Sequence, residues 1–199
     1  MRRLLDIAID EISRKLRHGT ALAVEALSLV DGGGLEKISA VASELHKLHL
    51  EVSDLVIEAV ARYSPVATDL RFLKGALFIS YDLYRVARYA LDIEIVLEKL
   101  DRSCDLGKIR SVLDVVKKML EMSIEMFLKR DISNIKEVER LDDEVVDKAY
   151  EESLLRLLER TDRCLVTEAV VLRLLERASD HAVYISKHAY YLVTGKTKS

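Results

Sequence analysis

"LERASDHAVYI" (Leu175–Ile185) and "LYRVARYALDI" (Leu83–Ile93) are the stretches whose comparison decides the fold. Laid over one another at a constant offset of 92 residues, they match Leu83 with Leu175, Arg85 with Arg177, Ala90 with Ala182 and Ile93 with Ile185. Both carry apolar residues at three- and four-residue steps, the period of a helix buried along one side. Two amphipathic helices share leucine and alanine by composition alone. The matching order of long and short helices around both copies argues instead for a duplicated unit.

Outward from these stretches the same helical period continues nearly everywhere, and breakers are few and clustered. "DGGG" (31–34) is the clearest stop. It separates a first helix over about 4–30 from a second over about 35–62. "SPVATDLR" starts a third, with Ser64 as N-cap and Pro65 at the first helical position, running to about Leu100. "DRSCDLG" (101–107) breaks the period and ends in glycine, so it marks a boundary. Helix four then covers about 109–129, helix five about 135–160 and helix six about 163 to the stop "TGK" (194–196). The expected fold is all-α: two tandem three-helix bundles, residues 1–101 and 108–199, joined by a linker at 102–107.

Composition narrows the function. The 199 residues are 50% hydrophobic and 33% charged, with one proline and no tryptophan, enough to bury a sizeable core. Charge is near balance, 31 basic against 34 acidic residues, and no basic arm stands apart, so nucleic acid is not an expected partner. The N-terminal "MRRLLDIAIDEISRKL" lacks the continuous apolar run of a signal peptide, and no 18-residue apolar stretch suits a membrane span. Cys104 and Cys164 lie far apart and form no CxxC. Neither a disulfide framework nor a zinc knuckle is expected, and a reducing cytoplasm is the expected compartment. Nucleophile motifs and phosphate-cradling glycine loops are missing: "DGGGLEK" lacks the Lys-Ser/Thr of a P-loop and follows a helix. No Glu is followed three residues later by His, which sets aside a ferritin-like di-iron site. An enzyme is therefore not expected.

Acids are the candidate site. Glu139, Asp143 and Asp147 fan over about 80° of one helix face, and Glu176 and Asp180 lie about 40° apart on another. On adjacent antiparallel helices the two rows would bring four or five carboxylates together. Their repulsion, and the hydration lost by any that are buried, favour a hard cation with oxygen ligands. Ordinary ion pairing is the alternative, because Arg173 and Arg177 flank Glu176 and Lys148 follows Asp147. His46 and His49, at i and i+3, have no acid opposite them, and His181 points away from Asp180. Asp69 and Arg71 are read as helping to start the third helix.

"SPVATDLRFLKGALFISYDLYRVARYA" and "LERASDHAVYISKHAYYLVTG" resemble the two signature motifs of the PhoU family of phosphate-uptake regulators. The resemblance spans nearly the whole chain. It implies a cytoplasmic protein of two three-helix bundles that binds metal clusters through E(D)xxxD motifs and restrains phosphate transport and signalling. The implied cofactor is a divalent or trivalent metal ion (Fe, Mn, Mg, Ca or Zn). The implied partners are a phosphate transporter, a sensor kinase, or a second copy forming a homodimer. Carried over residue by residue, the metal set is Glu139, Asp143, Asp147, Glu176 and Asp180, in the second half only. The first copy holds Tyr84 and Arg88 in the motif columns, and Ala42, His46 and His49 on its second helix. An acidic cluster is expected in one half alone.

Overall fold

A computed structural model describes residues 2–30, 32, 34–99 and 104–198. Its helices are α1 (Arg2–Leu29), α2 (Leu35–Tyr63), α3 (Ala67–Lys99), α4 (Gly107–Lys129), α5 (Ile135–Leu141), α6 (Lys148–Glu159) and α7 (Arg163–Thr194), with a π-helical turn, Asp142–Asp147, between α5 and α6. No strand occurs among the described residues. In α2 the buried positions run Ile38, Val41, Ala42, Leu45, Leu48, Val52, Val56 and Ala59. That stripe is one face of the helix, and it packs on α3.

The long third helix of each half forms the spine. α3 and α7 lie antiparallel: Arg71 Nε donates to the Leu192 carbonyl at 3.2 Å at one end, and His181 meets Asp82 nearer the middle. α1 and α2 pack on α3, while α4 and the α5–α6 segment pack on α7. α1 also touches α4, where Arg17 pairs with Glu125. One buried core therefore runs through both halves. Phe72 of α3 stacks on Phe127 of α4 with ring centroids 5.2 Å apart. Gly75 makes room for that ring, since a Cβ there would lie 2.5 Å from Phe127 Cε2.

Three local expectations are corrected. Ser64 does not cap α3: it ends α2 in the left-handed region, φ 47°, and α3 begins at Ala67. Proline disfavours the right-handed helical region for the residue before it, so the chain reverses at Ser64 instead. Helix five is not one α-helix, because the π turn divides it. The cysteines are joined: Cys104 and Cys164 form a disulfide with Cα atoms 5.4 Å apart across a separation of 60 residues. Cys104, shortly before α4, lies beside Cys164 in the first turn of α7, a tertiary adjacency that motif spacing does not record. The inference of a reducing compartment from unpaired cysteines thus loses its premise.

The last helix spans the range read for it, Arg163–Thr194. Asp162 caps α7 by accepting from Leu165 N at 2.9 Å, and Gly195 closes it at φ 71°. No helix is long and apolar enough to cross a membrane among the described residues. Asp31 and Gly33 of the first stop, Leu100 at the end of the expected third helix, and 101–103 of the expected boundary lie outside the described residues.

Candidate functional site

The π turn builds the acidic site. An i→i+5 turn holds one residue more than an α turn, so the residue one turn before Asp147 is Asp142, not Asp143. Asp142, Asp143 and Asp147 consequently each present a carboxylate oxygen within 4.8 Å of the others. The same insertion displaces Glu139 from the row. Val138 takes the buried place one turn earlier, and Glu139 pairs with Lys198 instead. Asp142 was absent from the set read by α-helical spacing, which places it about 100° from Asp143. The adjacent "DD" was the visible signal.

α7 supplies the other wall. Burial is the main cause raising the Asp142 pKa to about 6, opposed by the nearby Ser179 hydroxyl and reinforced by Asp147, Asp180 and Asp143. Burial likewise raises Asp147, with Asp180 and Asp143 adding to the effect. Glu176 is raised by burial, eased by Arg173, and raised further by Asp180 and Asp147. Tyr184 is raised first by the charge of Asp180. Carboxylates from two walls thus share one electrostatic field. One oxygen, Asp142 Oδ1, is buried with no hydrogen-bond partner.

Cations sit at the rim. Arg173 pairs with Glu176, and Arg177 Nη1 lies 3.6 Å from Asp180 Oδ2. Both arginines come from the turns of α7 that carry the acids they meet, as the ion-pairing alternative required. No such pair is formed by Asp142, Asp143 or Asp147 among the described residues. The set combines hard oxygen donors, like-charge repulsion and one unpartnered buried oxygen, a chemistry suited to a hard cation.

The corresponding place in the first half carries different chemistry. His46 packs on Tyr84 with ring centroids 5.1 Å apart, and Arg88 lies beside them. His49 Nδ1 is 2.9 Å from Ser80 Oγ, so it is engaged within α2 and α3. Asp69 stands in the first turn of α3, and His181 points away from Asp180, as the sequence indicates. His181 leaves the acids and lies against Asp82 of α3. Arg71 links Thr68 to the end of α7, while Asp69 is buried in the first turn of α3.

Comparison with known proteins accords with this architecture. The PhoU domain matches twice, over residues 9–94 and 109–189. A Synechocystis sp. protein described as a phosphate-specific transport system accessory protein PhoU homolog is 31% identical, covering 80% of this chain and 75% of its own. A homolog from Methanothermobacter thermautotrophicus is 28% identical over 97% of this chain and 93% of its own. The fold is shared with the crystal structure of PhoU from Pseudomonas aeruginosa, at a TM-score of 0.76 and 22% identity over 98% of this chain and 97% of that one. It is shared equally with the phosphate transport system regulatory protein PhoU from Streptococcus pneumoniae, at a TM-score of 0.77 and 16% identity over 99% and 97%. Two domain matches, one in each half of the duplicated chain, show that the protein belongs to the PhoU family.

Proposed function

We propose that this protein regulates phosphate uptake by contact with a phosphate transporter or its sensor kinase, from the cytoplasmic side, and that its acidic cluster holds a metal ion. The family match over both halves, with relatives described as phosphate transport accessory proteins, supports the regulatory role. The unpartnered Asp142 Oδ1 among Asp143, Asp147, Glu176 and Asp180 supports the metal. Those five residues would hold it, and Glu139, engaged by Lys198, would not. A bound hard cation would neutralise the cluster and stiffen the junction of the π turn with α7. Long amphipathic helices with mixed-charge faces suit docking to another helical surface, including a second copy of the chain.

Metal content measured on protein purified without chelator tests the site. Wild type should retain metal, and Asp143→Ala/Asp180→Ala should lose it while staying helical. Equal retention by the double variant would remove the site from the proposal. Deleting the gene and following phosphate uptake and phosphate-dependent transcription tests the role. Unchanged responses would overturn it.

The arginine pairs favour a second reading, a metal-independent adaptor of the same ancestry in which Arg173 and Arg177 do part of the neutralising. In that case regulation would persist in Asp143→Ala/Asp180→Ala.

A further inference from the structure

Where the second half gathers carboxylates, the first half has a pocket of opposite sign. A cavity of about 220 Å³ opens between α2 and α3, lined by Ser39, Ser43, His46, Lys47, Tyr84 and Arg88 among others. Lys47 and Arg88 are exposed, and neither has a hydrogen bond or ion pair among the described residues. Two of the nearby acids face α1 instead. Glu44 faces His18 at 3.2 Å and Glu51 takes Lys15 at 2.6 Å, both toward α1. Asp92, one turn along α3 from Arg88, forms no ion pair with it.

Two cations without an ion pair at one cavity, with hydroxyl and imidazole groups beside them, make an anion-accepting set. The planar guanidinium of Arg88 presents paired N–H groups that match two oxygens of a tetrahedral oxyanion, and Lys47 adds a point charge. The cavity has room for such an ion with part of its water shell. We propose that this pocket binds a phosphate group, either free inorganic phosphate or the exposed phosphomonoester of a lipid headgroup. The first half would then have exchanged cation chemistry for anion chemistry on the same pair of helices. The site stands on its own chemistry and goes beyond the regulatory reading, because the experiment measures binding and not regulation.

Protein stripped with chelator, so that no metal at the acidic cluster contributes, is dialysed to equilibrium against radiolabelled inorganic phosphate at low ionic strength. A parallel arm measures flotation with vesicles of phosphatidic acid in phosphatidylcholine against phosphatidylcholine alone. The Lys47→Gln/Arg88→Gln variant should lose affinity by about tenfold or more, in line with two charge-assisted hydrogen bonds. Arg88→Lys, which keeps charge without the fork, should lose less, and Asp143→Asn/Asp180→Asn should bind as wild type. Both basic positions are exposed, and thermal melting by circular dichroism confirms that the variants fold. Binding in the dialysis arm identifies free phosphate as the ligand; binding to phosphatidic acid vesicles alone identifies the headgroup. Binding of neither probe, or undiminished binding by Lys47→Gln/Arg88→Gln, overturns the proposal.

Discussion

His181 Nδ1 donates to Asp82 Oδ1 at 2.8 Å, joining the signature helix of one half to that of the other through a nearly buried pair. Tyr89 and Tyr184 pack around the imidazole, and Asp82 Oδ2 has no partner. Removing the imidazole alone leaves a carboxylate shut between two helices. His181→Ala should therefore destabilise the fold by about 3 kcal/mol, and Asp82→Leu/His181→Leu by clearly less. Urea unfolding of His181→Ala and of the double variant measures the difference, and an equal or larger loss in the double would mean the pair is not coupled.

Gly75 is a packing requirement of the same junction. A methyl group there would strike the Phe127 ring, which already stacks on Phe72. Gly75→Ala should destabilise by about 1–3 kcal/mol despite alanine's better helix propensity. Gly75→Ala/Phe127→Leu should recover part of that loss in the same chemical denaturation.

The Cys104–Cys164 bond constrains a long loop of the unfolded chain. Reduction, or Cys164→Ser, should lower stability by about 2–4 kcal/mol while leaving helical content intact. Thermal scans with and without reductant check this; identical midpoints would show that the bond contributes nothing.

Acid sensitivity is expected from His188, which stacks on Phe78. Burial depresses its pKa below 6.5, Asp82 opposes that shift and Lys74 adds to it. The unfolded chain then binds the proton more readily than the folded one. This contribution to stability is present above the unfolded pKa and is lost as pH falls through 6.5 toward the folded value. His188→Phe should flatten the profile between neutral and mildly acidic pH, as read by unfolding midpoints.

At the acidic cluster, the proposed metal binding and stability oppose each other. Asp142 is raised to about 6 by burial first and by neighbouring carboxylates. Above that pH the metal-free protein carries a charge it would be more stable without. Asp142→Asn should raise the melting temperature of chelator-treated protein at neutral pH and weaken metal retention. A lower melting temperature for the variant would mean that Asp142 is compensated within the protein.

Helix order, the two-unit fold and the single-sided placement of the acids were legible in the sequence. Those properties are local: a three- and four-residue apolar period records which side of a helix is buried, and Glu176 with Asp180 against Tyr84 with Arg88 records which half keeps carboxylates. Tertiary structure decided the rest. Asp142 replaces Glu139 in the cluster because a π turn adds a residue to the helix, which no α-helical spacing can reveal. Cys104 meets Cys164, and Asp82 meets His181, because packing of α3 and α4 on α7 brings together residues 60 and 99 positions apart. Periodicity carries information about the side of a helix that faces the core, not about which residue of another helix will stand opposite.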